Sequence, residues 1–370
     1  MVAKNIPKGT LPNAVSDIQN KAAYSKLDGF TLNTLLKGAG AGVAPTEIPA
    51  IGKNAIINGC SIVDQRAADY TLVINTYGIR ADRFYGMATG TAVSAGVLTK
   101  TTTANCGKTG HAFKFSGVTL TGTGIIYLRY RMEAKDAIHF KNQTASFSCK
   151  VYQDTGGAIN YTIFIRKANA ADNFSAVTAI SNSGAKSVPS ATATDLSYLA
   201  IAMGDCSNGI EIEIKVECGA ITTKNFEFTE LQFELGSVAT TFEFRPFQQE
   251  LALCKRYFHK FEAVGTDTQF FPGMIYNSTT ALFNYFYPVE MRAAPTITFF
   301  AAGSNADYEV IYGTGVQTRP ASDLSTSDAT YQSVQIAATV SGLTAGQGAL
   351  LRAGGVSSIG ICHIFFAAEL

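Results

Sequence analysis

The chain has 370 residues, of which 46% are apolar and 15% are charged, and its 29 basic residues nearly balance its 28 acidic ones. The length suits two or three domains, and the apolar content excludes a chain that is disordered throughout. A net charge of +1 without a long basic run argues against a nucleic-acid partner. No apolar run of about 18 residues occurs, so we expect no membrane insertion. The first residues, MVAKNIPKGTLPN, lack the apolar core of a signal peptide.

Residues 1–53 differ in composition from the rest of the chain. They contain a GAGAG run at 38–42 and a loose helical spacing of apolar residues between Ala14 and Leu36. Four prolines lie here: Pro7, Pro12, Pro45 and Pro49. A segment of this size cannot bury a stable core by itself. We therefore expect an N-terminal attachment arm that becomes ordered on another protein.

Residues 54–245 carry repeated strand patterns and no long helical pattern. In the segment 124–133, Ile126, Leu128, Tyr130 and Met132 fall on one face. The other alternating segments are 111–118, 145–154, 160–167, 211–218 and 225–236. Gly156-Gly157 predicts that 145–154 and 160–167 form a hairpin. Strands at this spacing are typical of an antiparallel sandwich.

Residues 246–261 change periodicity and predict a short helical elbow. Pro246 suits the first position of a helix, and Phe247, Leu251 and Cys254 follow at helical spacing. We expect the helix to end near Cys254, because the aromatic residues of the next segment, KRYFHKFEAV, favour a strand.

Residues 262–370 predict a second, smaller sandwich. The strand-like segments are ALFNYFYPV, PTITFFAA, YEVIYG, YQSVQIAATV and SIGICHIFFAAEL, and clusters of Gly, Ser, Thr and Asp separate them. The predicted fold class is therefore all-β, with two antiparallel β-sandwich domains joined by a short helical elbow and preceded by the N-terminal arm.

The residue types that usually carry chemistry are scattered. The seven cysteines form no CxxC, so we expect buried free thiols in a protein made in a reducing cytoplasm. The four histidines show no metal-ligand spacing, and we expect packing or interface roles for His259 and His363. Glu211 and Glu213 share a strand face, which we interpret as a solvated face. No metal or other cofactor is predicted.

Several segments resemble a known group of proteins. LQFELGSVATTFEFRPFQQELALCKRYF (231–258) is similar to a junction found in bacteriophage tail-fibre and minor structural proteins. YPVEMRAAPTIT (287–298) and the final FFAAEL are similar to later segments of those proteins. INGCSIVDQRAADYTLVINTYGIRADRFYG (57–86) looks like the opening of their jelly-roll domain, which has the shape of a carbohydrate-binding module.

The resemblance implies a homotrimeric virion protein, made in the host cytoplasm, whose arm binds other virion proteins. The first hypothesis is a tail fibre or receptor-binding protein that contacts host surface glycans without catalysis. A capsid decoration or head fibre protein is the second hypothesis. A depolymerase or esterase of surface glycans is the third, since a glycosidase pair of carboxylates, about 5 to 9 Å apart in space, can come from distant positions.

The chain has no Trp, so a sugar platform built from Trp is absent, and tyrosine is the alternative. Tyrosine offers a rigid ring with a polar end and suits wet binding surfaces and interfaces. Six tyrosines in the last third are the candidate ligand or interface residues: Tyr276, Tyr285, Tyr287, Tyr308, Tyr312 and Tyr331. We expect the second sandwich to carry the recognition surface.

Overall fold

The computed structural model describes residues 34–37, 46–49, 52–66, 69–80, 82–262, 268–301, 308–313, 315–319, 323–354 and 362–370. Contacts divide the chain into one unit of residues 1–53 and another of 54–370. In the first unit, β1 (Thr34–Lys37) pairs antiparallel with β2 (Thr46–Pro49). The helix that the spacing between Ala14 and Leu36 predicts is therefore wrong at its C-terminal end, where the chain forms a strand. The rest of that prediction, and most of the proposed arm, lies outside the described residues.

The second unit begins with a β-sandwich of two antiparallel sheets. Sheet A has the strand order β11-β10-β14-β8-β5-β4, with β12 beside β10, and sheet B has the order β13-β9-β15-β7-β6-β3. The strands are β3 (Tyr70–Thr71), β4 (Gly78–Ile79), β5 (Phe84–Thr89), β6 (Ala92–Thr101), β7 (Ala112–Thr121), β8 (Ile125–Met132), β9 (Thr144–Gln153), β10 (Ile159–Ala170), β11 (Asn173–Asn182), β12 (Lys186–Val188), β13 (Thr194–Ala202), β14 (Ile210–Glu217) and β15 (Ile221–Leu235). A short helix, α1 (Ala134–Ala137), and a 3₁₀ turn (Ile138–Phe140) follow β8.

The first core lies between these sheets, and alternate residues along each strand point into it. The predicted face of β8 is buried, while the intervening side chains are partly exposed. Across the sandwich, the rings of Phe84 in β5 and Phe113 in β7 lie 4.1 Å apart. Each fully buried phenylalanine contributes about 1.5–3 kcal/mol of transfer free energy. The all-β class and the sandwich architecture are confirmed.

The hairpin predicted for 145–154 and 160–167 is wrong. Strand β9 lies in sheet B, and β10 lies in sheet A. A strand has two hydrogen-bonding edges, and β9 uses both: Val151 is the partner of Thr194 on one side and of Phe228 on the other. The Gly156-Gly157 connection therefore crosses from one sheet to the other.

The predicted helix is α2 (Phe247–Lys255), and the strand β16 (Phe258–Glu262) follows it. Both predictions are confirmed, although Pro246 is the N-cap and not the first helical residue. Buried Arg245 fastens α2 to the start of the sandwich, because it donates to the carbonyl oxygen of Ile56 at 3.1 Å and pairs with Glu250 at 3.2 Å. The elbow is thus tied to the first sandwich by buried polar contacts.

A second pair of antiparallel sheets encloses a second core. Sheet C has the order β16-β25-β19, and sheet D has the order β21-β20-β24-β17-β18-β23-β22. The remaining strands are β17 (Gln269–Asn277), β18 (Thr280–Phe286), β19 (Thr296–Ala301), β20 (Tyr308–Tyr312), β21 (Gly315–Arg319), β22 (Leu324–Ser327), β23 (Ser333–Thr339), β24 (Gly348–Ala353) and β25 (Cys362–Ala367). Ile336 of β23, Leu351 of β24 and Phe366 of β25 are among the buried residues of this core.

The last residues return to the first sandwich. The carboxylate of Glu369 pairs with Arg83 at 2.6 Å and with Arg66 at 3.0 Å. The carbonyl oxygen of Leu370 accepts hydrogen bonds from Tyr85 and Arg131, both at 3.0 Å. The second sandwich is therefore held to the first by charged contacts as well as through α2.

All seven cysteines are buried thiols outside any disulfide bond, as predicted. Burial raises the pKa of the Cys60, Cys106 and Cys218 thiols to about 12. Within the described part of the chain, no helix has the length and apolarity to cross a membrane.

Candidate functional site

An open groove of about 760 Å³ lies on the outer face of sheet B. Its floor comes from the side of β9 that faces away from the core: Ser148 and Lys150 alternate with buried Phe147 and Val151. The sequence alternation of β9 therefore builds the core with one face and the groove with the other.

Two loops form the walls of the groove by hydrogen bonding to outward carboxylates of β15. On one side, Asn105 donates from its main chain and side chain to Glu227, at 2.6 and 2.9 Å. On the other side, Thr240 donates from its main chain and hydroxyl to Glu234, at 2.8 and 2.6 Å. Both carboxylates are buried, so each is a fixed anchor for its loop.

Glu230 reaches the groove because β15 contains a bulge. The register with β9 shifts between Thr229 and Gln232, and Glu230 has a positive φ of 52°. Thr229 and Glu230 thus both lie on the outer side, while the next residue, Leu231, is in the core. The carboxylate of Glu230 accepts the main-chain N–H of Lys108. A non-glycine residue in the left-handed region stores strain and is often found at functional sites.

Gly107 allows one loop to lie close to this bulge. Its φ is +78°, and a Cβ at this position would lie 2.5 Å from Cγ2 of Thr229. Any side chain here would push the loop away from β15 and change the shape of the groove.

The ionisable groups of the groove balance one another. Lys150 pairs with Asp195, its cross-strand neighbour on β13, and the hydrogen bond that Lys150 donates to the carboxylate of Asp195 raises the pKa of Lys150. Lys108 and Glu230 supply one further charge of each sign. Burial, together with the nearby Lys100, lowers the pKa of His111, so the imidazole is neutral at pH 7. The groove therefore carries no net charge at neutral pH.

The rim and floor add an aromatic surface and hydroxyl groups. Phe242 and Phe244 line one side, and the ring of Phe244 is 59% exposed. Ser148 and Ser197 are cross-strand partners whose hydroxyls face the groove. The arrangement can donate and accept hydrogen bonds along an uncharged ligand while a ring packs against it.

The six predicted tyrosines do not form one surface. Tyr308 is fully buried, with its hydroxyl donating to the carbonyl oxygen of His363 at 2.7 Å, and Tyr287 is also a core residue. Tyr285 and Tyr312 pack against the same core. Tyr276 and Tyr331 are 62% and 51% exposed. No observation tests a ligand or interface role for the six tyrosines, so that role stays a prediction, and Tyr276 and Tyr331 are the two with the most exposed rings.

The interpretation of Glu211 and Glu213 as a solvated face is wrong. Both carboxylates are buried on the outer side of sheet A. Arg166 pairs with them at 3.0 and 2.8 Å, and Arg129 pairs with Glu213 at 2.8 Å. Burial by itself would raise the pKa of Glu213, but the hydroxyl of Tyr77 and the two guanidinium groups lower it overall. The pair belongs to a structural ion network.

His259 and His363 lie in aromatic packing, as expected. The His259 ring stacks on Tyr285 at 5.9 Å and on Phe366 at 5.7 Å, and the His363 ring stacks on Phe300 at 5.6 Å. In the part of the chain that the structure describes, no three His, Cys, Asp or Glu residues are grouped so that they could hold a metal ion.

Sequence reasoning missed the groove. Its walls come from residues more than 100 positions apart, so no local pattern marks it. One local feature was available: the consecutive polar residues Thr229 and Glu230 interrupt the alternation of NFEFTELQFEL. An interruption of this kind indicates a bulge, and bulges are frequent next to binding sites.

Comparisons with known proteins give only distant similarities. No family model and no curated protein matches the chain. A carbohydrate-binding module from the β-sandwich superfamily aligns with a TM-score of 0.32 and 12% identity, over 54% of this chain and 72% of that one. The C-terminal family 22 carbohydrate-binding module of Clostridium thermocellum Xyn10B aligns with a TM-score of 0.30 and 11% identity, over 42% of this chain and 88% of that one. The xylan-binding domain CBM22-1 of Paenibacillus barcinonensis Xyn10C aligns with a TM-score of 0.28 and 12% identity, over 48% and 98%.

These TM-scores are too low to transfer a ligand or a residue role to this chain. None of the three structures is described as a phage fibre protein, so the resemblance to tail-fibre proteins stays a prediction.

Proposed function

We propose that the chain is a non-catalytic glycan-binding protein whose ligand lies in the groove of sheet B. The observation that carries the proposal is the charge-balanced groove with hydroxyl groups on its floor and an exposed phenylalanine on its rim. A sugar presents hydroxyl groups around its edge and C–H groups on its faces. It therefore needs donors, acceptors and an aromatic ring within one site.

Charge balance favours neutral glycans over acidic ones. Lys150 is already paired with Asp195, and Glu230 is held by the main chain of Lys108. An anionic sugar would have to compete with Asp195 for Lys150, whereas a hydroxyl group can bond to either partner without separating the pair.

The carboxyl groups that line the groove support binding without catalysis. A glycosidase needs one carboxyl group in apolar surroundings that keep it protonated, opposite a second carboxylate. Asp195 is 79% exposed and ion-paired, and Glu230 accepts a main-chain N–H. Neither carboxyl group has the surroundings of a general acid.

The resemblance supports a more specific role. We propose that the protein is a bacteriophage virion component, a homotrimeric tail fibre or receptor-binding protein in which residues 1–53 attach to other virion proteins. The groove would then contact a host surface glycan, and three copies would convert weak single-site binding into useful avidity.

The binding test uses a panel of immobilised neutral and acidic oligosaccharides, followed by titration calorimetry with the best neutral one. We expect Phe244→Ala to weaken binding at least tenfold, because the ring on the rim is lost. Phe247→Ala is the matched control, since Phe247 is also exposed but does not line the groove. No binding to any sugar, or equal effects of the two substitutions, would contradict the proposal.

Three further measurements test the finer statements. Incubation with host polysaccharide should release no shortened glycan, and liberated oligosaccharide would make the protein a depolymerase. Deletion of residues 1–53 should leave a folded protein that no longer joins particles. Antibody labelling of virions should place the protein on the tail, whereas labelling of the capsid would identify a decoration protein.

A further inference from the structure

The outer face of sheet D carries a continuous apolar surface. Val316 of β21 is the cross-strand partner of Ile311 in β20, and Ile311 is the partner of Leu350 in β24. Leu350 is next to Pro272 of β17, and Met274 of β17 is next to Leu282 of β18. We call these six residues the apolar band, which crosses five adjacent strands.

The apolar band faces away from the core. The residues that alternate with it, such as Val310, Ile275 and Phe283, are fully buried on the opposite face of the sheet. Val316 and Met274 are 52% and 51% exposed. Antiparallel strands with one solvated face normally alternate apolar and polar residues, so strands that are apolar on both faces indicate a second surface to be covered.

None of the six residues of the band is charged. In β21, Arg319 stands at the end of the strand, opposite Tyr308 in β20. Across β17, β18, β20 and β24, the only charged residues are Glu309 and Arg352. These two lie side by side on the same outer face and pair with each other at 2.7 Å. They neutralise one another within the chain.

This charge pattern favours a second copy of the same chain as the covering partner. Interfaces between unlike proteins commonly use complementary charge for orientation and choice of partner. Contact between two copies brings like surfaces together, so a surface without net charge avoids like-charge repulsion.

The band by itself is smaller than a standard protein–protein interface. Strands lie about 4.8 Å apart, so five strands span roughly 20 Å, and a strand of average length covers about 17–20 Å. The resulting area of roughly 400 Å² is about half of the 800 Å² that each partner contributes to a standard interface. Tyr276 of β17 is strongly exposed and extends the apolar surface beyond Met274, whereas Phe286 of β18 is exposed but separated from Leu282 by Asn284.

We propose that the apolar band is the surface through which copies of this chain associate. The proposal names the contact surface of the homo-oligomer proposed above, and it rests on sheet D and not on the glycan-binding groove. Association through the second sandwich leaves the groove of sheet B, on the first sandwich, accessible in every copy.

The test measures the mass of the full-length protein by light scattering and sedimentation from 1 to 100 μM. We expect the wild type to exceed the 39.3 kDa of one chain. Met274→Glu and Leu350→Glu place a carboxylate in the band and should raise the dissociation constant at least 100-fold, giving monomers with an unchanged circular dichroism spectrum. Ile138→Glu is the matched control, because Ile138 is equally exposed but lies beside α1 in the first sandwich, and it should leave the mass unchanged.

Two results would overturn the proposal: a wild-type monomer at 100 μM, or an oligomer that survives both band substitutions. A monovalent oligosaccharide should bind each copy of the monomeric variants with wild-type affinity. Loss of association and loss of glycan binding are therefore measured independently, so either proposal can fail while the other stands.

Discussion

Removing the negative charge of Glu369 should destabilise the protein by about 3 kcal/mol. The guanidinium of Arg83 is fully buried, and Glu369 is its ion-pair partner at 2.6 Å. Breaking a buried pair by removing one partner costs about 3–5 kcal/mol, because the other charge is left uncompensated in a poorly solvated site. We place Glu369→Gln at the lower end of that range. Buried Asp82 lies nearby, and burial together with the negative charge of Glu369 raises its pKa to about 6. Removing that charge also removes the repulsion between the two carboxylates, which partly compensates for the lost pair.

Urea unfolding at pH 7, followed by circular dichroism and tyrosine fluorescence, measures this loss. Glu217→Gln is the control, because Glu217 pairs with Lys215 at 2.7 Å but is largely exposed, and such pairs contribute about 0–1 kcal/mol. Adding Arg83→Met to Glu369→Gln should recover part of the loss, since the unpaired buried charge is then gone. If Glu369→Gln costs no more than Glu217→Gln, the buried pair does not hold the two sandwiches together as argued.

Other expectations concern pH, the groove and the thiols. Burial lowers the pKa of His259 to about 4, so the folded protein binds fewer protons at this residue than the unfolded chain does. As the pH falls from about 6.5 to 4, the free energy of unfolding should therefore decrease by roughly 3 kcal/mol. The free energy of unfolding should therefore change less with pH in His259→Gln than in the wild type across this window. An equal change in the two proteins would contradict the assignment. Gly107→Val should weaken glycan binding at least tenfold in calorimetry, whereas Gly156→Ala, which meets no neighbouring atom, should leave binding unchanged. Cys60 and Cys149 should react with a thiol-specific disulfide reagent only after unfolding, since both are buried with raised pKa values; rapid labelling of the folded protein would show that these segments open.

For the segments that alternate clearly, local sequence determined that they form strands and which of their faces packs in the core. The alternation around Ile126 and Phe113 was sufficient, because a strand places successive side chains on opposite faces whatever its neighbours are. Pro246 and the helical spacing of the residues up to Cys254 likewise predicted the position of α2, although Phe247 is exposed and does not pack in the core. Burial of the cysteines was predicted because free cysteine is among the most buried residue types, and Cys149, Cys218 and Cys254 also lie in apolar or alternating segments.

Tertiary structure alone decided which strands are neighbours and what covers their outer faces. Alternation gives a strand its two faces but carries no information on its two edges, so the pairing of β9 with β13 and β15 was not predictable and a hairpin was expected. Glu211 and Glu213 look solvated in sequence, and they are buried only because β8 and β10 bring arginines beside them. The groove depends in the same way on loops that meet over β15 from distant parts of the chain. Contacts between distant residues are set by the register of whole sheets, and a short stretch of sequence cannot specify that register.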